Sequence, residues 1–142
     1  MVALAKLRLI DSLGETAAAL VEALDADACA ISRVLGDVLL FVTEAAPAGR
    51  TLLSGQGYLV SEFPATRQVL ETRQPQALCL SDPEVDEAEA AVLRELGYAS
   101  LLMLPLDLSG EPWGLVEVYR EEPRPFGAAE MRAVAVVLAE LG

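Results

Sequence analysis

Apolar residues near both ends of the chain recur every three or four positions, which is the spacing of one buried helix face. Ser12 followed by Glu15 has the spacing of a capping box, which predicts a new helix starting at Leu13 after a shorter leading turn. We therefore expect an N-terminal helical segment over 1–25 and a C-terminal helix over 127–142. The two stripes are Ile10, Leu13, Ala17, Leu20 and Leu24, then Met131, Val134, Leu138 and Leu141.

Between these helices, apolar runs bounded by turn residues predict two β-hairpins, a further strand and two shorter helices. Gly36-Asp37 and Ser109-Gly110 supply the hairpin turns, and Pro105 predicts a local irregularity within its strand. In chain order we expect strands over 28–35 and 38–43, a long irregular connection over 44–61, a helix over 65–72, a strand over 76–80, a helix from Asp82 to Leu96, and strands over 99–106 and 113–120.

This order of elements indicates an α+β domain in which helices flank a central antiparallel sheet. Leucines and valines lie on both faces of the strands, as in the run from Leu101 to Leu104, so we expect the sheet to be buried on both sides. A length of 142 residues is typical of one domain. We therefore expect a single three-layer domain over 1–142.

The composition excludes several classes of function. Twenty-two acidic and ten basic residues give a net charge of −12, which disfavours nucleic acid and anionic membranes as partners. No apolar run has the length of a membrane span or the pattern of a signal peptide, so we expect a cytoplasmic location. The chain has no histidine, which excludes Ser-His-Asp and Cys-His catalysis and the commonest ligand of metals and haem. We expect a protein that is not an enzyme and has no metal site, with Cys29 and Cys79 reduced and buried.

One strand of the second hairpin supplies the first candidate site. Side chains two apart on a strand share a face, and a wall of mixed apolar and polar groups is typical of a ligand pocket. The alternative is that the aromatic rings belong to the core while the carboxylate is solvated or paired with Arg33 or Arg120. The candidate ligand-binding residues on this strand are Trp113, Leu115, Glu117 and Tyr119.

Further candidates lie where strands lead into helices. Cys79, Ser81 and Asp82 precede a predicted helix whose free backbone N–H groups could bind an anion, although Asp82 could simply cap that helix. Tyr58 follows Gly55 and Gly57 in the long connection, which suggests a flexible pocket lid because no phosphate-loop lysine follows. Tyr58 and Phe63 complete the set of candidate ligand contacts.

The order of motifs from Leu13 to Leu141 is more specific than any one of them. The motifs are the helix around Val69-Leu70 before Pro75, the helix ending at Gly97, Leu104-Pro105-Leu106, the Ser109-Gly110 turn, the strand Trp113 to Val118, then Phe126 and Glu130 before the last helix. In this order the chain resembles the GAF domain family. The resemblance implies a PAS-like antiparallel sheet that carries the N- and C-terminal helices on one face and a small-molecule pocket on the other.

The resemblance also implies a function in signal transduction. GAF domains are sensors that bind a small molecule and regulate an effector domain of a longer chain, and the last helix lacks a stop signal before Gly142. The Asn-Lys-Phe-Asp-Glu motif of cyclic-nucleotide-binding members is absent, since Lys6 is the one lysine and there is no asparagine. Neither Cys29 nor Cys79 has the sequence context of a bilin-attachment cysteine. The ligand and any cofactor are therefore unknown from the sequence.

Two alternatives to a ligand sensor remain at this point. In the first, the domain binds no ligand and acts as a dimerisation module whose terminal helices pack between two subunits. A homodimer through these helices is also compatible with a sensor. In the second, the chain is a thiol enzyme similar to the free methionine sulfoxide reductases, which would depend on Cys29 or Cys79 without a neighbouring histidine.

Overall fold

The computed structural model describes residues 2–47 and 57–141. Within these ranges, four α-helices accompany six strands and one short 3-10 turn at Val60–Glu62. The elements are α1 Val2–Ala23, β1 Ala28–Leu35, β2 Val38–Ala45, β3 Gly57–Leu59, α2 Pro64–Thr72, β4 Gln76–Cys79, α3 Glu87–Leu96, β5 Ser100–Leu108, β6 Glu111–Arg120 and α4 Ala128–Ala139.

The strands form one antiparallel sheet in the order β3-β2-β1-β6-β5-β4. β1 and β6 lie at its centre, with Ala30 opposite Glu117. On the other side of β6, Leu101 of β5 is opposite Tyr119. The α+β architecture with a central antiparallel sheet is confirmed.

Each face of the sheet packs against its own pair of helices. Val116 and Val118 of β6 belong to a core that includes Leu13 and Leu20 of α1 and Val134 of α4. Alternate residues of the same strands, with Val69 of α2 and Leu93 of α3, form a second core on the opposite face. The terminal helices therefore share one face, as the sequence predicts, and the other face is free to build a site with α2 and α3.

The first helix is continuous, so the prediction of a new start at Leu13 is wrong. Residues 2–11 are mostly Ala, Leu, Lys and Arg, which favour helix strongly enough to override one capping signal. The carbonyl of Ser12 accepts a hydrogen bond from Thr16 Oγ1 at 2.9 Å, as it would inside a helix. Leu13 and Ala17 are fully buried, whereas Ile10, predicted to share their stripe, is 41% exposed.

The helix predicted to begin at Asp82 instead begins at Glu87. Asp86 is the N-cap, and its carboxylate accepts a hydrogen bond from the Glu89 backbone N–H at 3.1 Å. Asp82 accepts from the N–H of Glu84 at 2.9 Å, a local turn that satisfies the backbone without a helix. Gly97 ends the helix with φ of 86°, as predicted.

The second hairpin is longer than predicted by two residues in each strand at the turn. Ser109 and Gly110 both have positive φ, at 53° and 78°, which suits a tight two-residue turn. The irregularity predicted at Pro105 lies between Leu106 and Asp107, while Pro105 itself pairs with Leu115. β4 pairs with β5 only as far as Met103, so the missing N–H of Pro105 costs the sheet little.

The connection predicted as irregular over 44–61 contains regular structure at both ends. β2 continues to Ala45, and β3 pairs with β2 through Leu39 opposite Tyr58. The carboxylate of Asp37 holds the following turn, accepting from the Ser61 N–H at 2.8 Å and from its hydroxyl at 2.6 Å. Gly55, part of the predicted lid, lies outside the described residues.

Candidate functional site

A small cavity lies on the sheet face opposite the terminal helices. Its volume is about 30 Å³. β6 forms the floor, α2 and α3 supply one wall, and the segment from Tyr58 to Phe63 supplies another. Its apolar lining comes from Leu39, Leu59, Val60 and Val92, and its polar lining from Thr66, Glu89, Glu117 and Tyr119.

Glu117 is the carboxylate on the cavity floor. It is 7% exposed, and Tyr119 Oη donates a hydrogen bond to its Oε2 at 3.0 Å. Burial, and then the nearby charge of Glu89, raise the pKa of Glu117 to about 8, although the hydrogen bond from Tyr119 acts in the opposite direction. Burial beside this carboxylate also raises the pKa of Tyr119. Near neutral pH the empty site therefore favours a protonated Glu117.

Glu89 is a second buried carboxylate, contributed by the first turn of α3. It is 4% exposed, and Thr66 Oγ1 of α2 donates a hydrogen bond to its Oε1. Burial raises its pKa, with Asp86 adding to the rise and the Thr66 hydrogen bond opposing it. The hydroxyl thus ties α2 to α3 and positions this carboxylate at the cavity.

No basic side chain among the described residues neutralises either cavity carboxylate. Arg33 lies over the Trp113 ring, 4.9 Å from its centroid. Arg120 donates to the backbone carbonyls of Leu24 and Asp25 at the end of α1. The alternative in which Glu117 is solvated or paired with one of these arginines is therefore wrong.

Aromatic rings complete the site. Tyr58 and Phe63 meet edge to face, with centroids 5.7 Å apart and planes at 72°. On the same face of the sheet, the ring centroid of Tyr119 lies 5.2 Å from that of Tyr98. Burial, with charge from Glu95 and Glu117, raises the pKa of Tyr58. The site thus combines two acids with an aromatic and aliphatic enclosure.

The structure brings together only part of the predicted wall on β6. Glu117 and Tyr119 line the cavity, while Leu115 is fully buried in the core on the same face. Trp113 is not part of the cavity lining but packs against the core beneath the terminal helices. The β5–β6 register runs from Gly114 directly to Pro112, which leaves Trp113 as the extra residue of a bulge and breaks the alternation.

The candidates that follow β4 lie away from the cavity. Cys79 Sγ is 3.0 Å from Ser81 Oγ and 3.5 Å from Ser100 Oγ, and Asp82 borders a surface groove beside α2. Burial raises the pKa of Cys79, but the hydrogen bonds with Ser100 and Ser81 outweigh it and leave the pKa lowered. Since α3 begins later than predicted, Asp82 does not mark a helix N-terminus that could bind an anion.

Cys29 lies in the core on the opposite face of the sheet, where burial raises the pKa of its thiol. The described part of the chain contains no cluster of three or more side chains suited to a metal ion. Of its helices, none has both the length and the apolar character needed to cross a bilayer.

Thr66 and Glu89 are site residues that sequence reasoning does not single out. Glu89 belongs to an acidic stretch that is expected to be solvated, yet it adjoins Ala90 and lies four residues before Leu93, both buried. An acid on the apolar face of a helix is the signal that could have identified it.

An antiparallel sheet with terminal helices on one face and a small cavity on the other is the arrangement expected of a sensory-domain fold. The family model of the GAF domain matches residues 8–142. The chain belongs to the GAF domain family. The comparison with curated proteins gives no match.

Solved structures with the same fold include light-sensing domains. The phycocyanobilin-bound GAF domain of a cyanobacterial phytochrome aligns with a TM-score of 0.78 and 22% identity over 96% of this chain and 86% of that one. The GAF domain/HD domain protein from Geobacter sulfurreducens aligns at 0.75 with 15% identity, covering 94% and 88%. The blue-light-absorbing PixJ GAF domain of Thermosynechococcus elongatus aligns at 0.74 with 19% identity, covering 94% and 84%. At these identities the likeness concerns the fold.

Proposed function

We propose that this chain is a small-molecule-sensing regulatory domain of a signalling protein and that it is not an enzyme. The observation that carries the proposal is the cavity in which Glu89 and Glu117 are buried without a basic partner among the described residues. Buried carboxyl groups without such a partner lower stability, and perturbed acids in a cavity are typical of functional sites. Family membership and the position of the cavity opposite the terminal helices support the same function.

The size of the cavity limits what binds without rearrangement. Pockets for drug-sized ligands measure about 300–1,000 Å³, whereas this cavity measures about 30 Å³. The ligand is therefore either very small or bound with an outward movement of the segment from Tyr58 to Phe63. The contacts of this segment include the short β3 pairing, the Asp37–Ser61 hydrogen bonds and the buried side chain of Val60.

Covalent chromophores and thiol chemistry are disfavoured at this cavity. The relatives that are bilin-bound share the fold, but neither cysteine of this chain lines the cavity. The side chain of Cys29 lies on the opposite face of the sheet, and Cys79 lies at the end of β4. A mechanism similar to free methionine sulfoxide reduction would place one of these thiols at the ligand, so the non-enzymatic function is favoured.

Ligand binding at the cavity is tested by native mass spectrometry of the purified protein and by thermal shift against a metabolite library. A compound that binds only the folded state raises the melting temperature. The Val92→Phe variant should fill the cavity and abolish the shift, while Ala91→Phe, at an exposed position of the same helix, should retain it. A protein that carries no small molecule and responds to no compound would contradict a sensory function and favour a ligand-free dimerisation module.

The domain is further proposed to act in the cytoplasm as a homodimer joined to an effector domain. Apolar side chains on the terminal helices remain uncovered, with Ile10 41% and Val136 66% exposed. Light scattering should therefore report a dimer that Ile10→Glu and Val136→Glu dissociate. Leu35→Glu, at an exposed apolar position of the first hairpin, is the matched control and should leave the dimer intact. A monomeric wild-type chain at micromolar concentration would contradict this assembly.

A further inference from the structure

Each of the two cavity carboxylates uses only one of its oxygens. Thr66 donates to Oε1 of Glu89, and Tyr119 donates to Oε2 of Glu117. The second oxygen of each accepts no hydrogen bond within the described structure. Unlike Gln76 Oε1, neither of these oxygens is a fully buried atom without a partner, and both residues line the cavity. Among the described residues, the site therefore presents one unused oxygen on each of its two acids.

The charge of the two acids determines which class of ligand can bind to these oxygens. An anionic ligand would meet two carboxyl groups and a chain of net charge −12. A divalent metal ion would lack ligands, because no third metal-binding side chain joins the pair in the described residues. A cation that carries N–H donors supplies both the missing charge and the missing hydrogen bonds.

The remaining walls suit an organic cation. Leu39, Val60 and Val92 offer aliphatic contacts, and the rings of Tyr58 and Phe63 stand at the other wall. An ammonium group near aromatic faces gains a cation–π attraction that increases when water is excluded. An apolar enclosure with acids at one point is thus complementary to a short alkyl chain that ends in an ammonium group.

We infer that the cavity binds a small aliphatic ammonium ion, whose N–H groups donate to Glu117 and Glu89 while its alkyl chain lies against Val60, Val92 and the ring of Phe63. This inference rests on the proposed sensory function and specifies its ligand class. The volume of about 30 Å³ favours a chain of very few carbons. Binding favours the ionised form of both carboxyl groups, so at neutral pH the proton of Glu117 passes to the buffer as the ammonium ion enters.

The test uses three probes of nearly equal size and different charge: n-propylammonium, 1-propanol and propanoate. The melting temperature is measured, and binding is followed by isothermal titration calorimetry, at pH 7.5 and constant ionic strength. Potassium chloride controls for unspecific cation binding. Ammonium chloride supplies the ammonium group without an alkyl chain. We expect n-propylammonium alone to bind with one site per chain and to raise the melting temperature by a few degrees. Ammonium chloride should bind at least tenfold more weakly, because it lacks the apolar contacts.

Glu117→Gln and Glu89→Gln should each weaken n-propylammonium at least tenfold, since each removes a carboxylate acceptor. Glu62→Gln, an exposed acid in the neighbouring turn, removes the same charge outside the cavity and should change the affinity less than twofold. A calorimetric signal that scales with the ionisation enthalpy of the buffer would report the released proton.

The outcomes separate this inference from the function on which it rests. Binding of 1-propanol or propanoate as tight as that of n-propylammonium, or an unchanged affinity in Glu117→Gln, would overturn the ammonium specificity and leave a sensor of another ligand class. The ammonium specificity would also be overturned if none of the three probes binds but a library compound binds and Val92→Phe blocks it. The sensory function would then stand. If neither the probes nor any library compound binds, both the ammonium inference and the proposed sensory function would be overturned.

Discussion

Glu117→Gln should stabilise the protein at alkaline pH and flatten the dependence of its stability on pH. The folded-state pKa of Glu117 is about 8, against about 4.5 for an ordinary glutamate carboxyl. A raised pKa means that the folded chain binds the proton more tightly than the unfolded chain, so stability falls as pH rises from about 4.5 and the loss is complete above about 8. At about 1.4 kcal/mol per pKa unit, the full loss is on the order of 4 to 5 kcal/mol.

The glutamine side chain of this variant retains an acceptor for the Tyr119 hydroxyl but carries no charge, so the variant should avoid this loss. Urea unfolding, followed by circular dichroism at pH 5, 7 and 9, measures the free energy of unfolding in both proteins. We expect similar values at pH 5 and an advantage of several kcal/mol for the variant at pH 9. Glu62→Gln controls for the general relief of charge repulsion.

The groups whose pKa is linked to the charge of Glu117 are Glu89 from α3, Tyr119 from its own strand and Tyr58 from β3 on the cavity face, and Cys29 of β1 on the opposite face. Burial also raises the pKa of Glu89, which adds to the loss of stability in wild type. Parallel pH profiles for wild type and Glu117→Gln would refute the conclusion that Glu117 is buried without a compensating charge.

Three further predictions concern packing, a buried arginine and the thiols. Gly114→Ala should destabilise the protein by about 3 kcal/mol, because the added Cβ would lie 2.0 Å from the Ser32 carbonyl oxygen; urea unfolding close to wild type would contradict this. Arg120→Ala should cost about 2–4 kcal/mol by leaving buried carbonyls without donors, and an unchanged midpoint would show that water replaces the guanidinium. Titration of the native protein with a thiol reagent should modify Cys79 before Cys29, since the pKa of Cys79 is lowered and that of Cys29 is raised; peptide mapping that finds Cys29 modified first would oppose the assignment.

Most of the fold is predictable from local patterns in this sequence. Strand alternation and the turns at Gly36 and Ser109-Gly110 place the hairpins, because few residues other than glycine and small polar residues adopt positive φ easily. Both wrong helix starts arise from one ambiguity. Ser12 and Asp82 both have side chains that can cap a helix, but Ser12 lies inside α1 and the Asp82 carboxylate accepts from the Glu84 N–H in a local turn, so only the surrounding residues decide whether a cap forms.

The site is predictable only in part, for a physical reason that differs from residue to residue. Glu117 and Tyr119 follow from simple alternation on β6. Trp113 does not, because a bulge is a tertiary feature of strand pairing that alternation cannot reveal. Glu89 is one of 22 acidic residues. Its burial depends on how α3 packs against α2 and β6. The spacing of residues along α3 indicates an apolar face but does not determine this packing.

β6 also connects the cavity to the helix at the C-terminal end. Glu117 faces the cavity, Val118 lies in the core under the terminal helices, and Arg120 bonds to the carbonyls of Arg124 and Pro125 in the segment that leads to α4. The Arg120 guanidinium also lies 4.0 Å from the centroid of the Phe126 ring. A residue of the cavity lining, Glu117, and the anchor of α4, Arg120, therefore lie close together on the same strand.

Because a close-packed interior transmits small displacements, occupation of the cavity should alter the protection of that anchor. Hydrogen exchange with and without saturating n-propylammonium should show slower exchange in β6 and in 124–131, beyond the residues that line the cavity. Arg120→Lys reduces the set of donors from a planar fork to a single ammonium group and should remove the effect at 124–131 while sparing β6. Protection confined to the cavity lining would show that the ligand and the C-terminal helix are uncoupled.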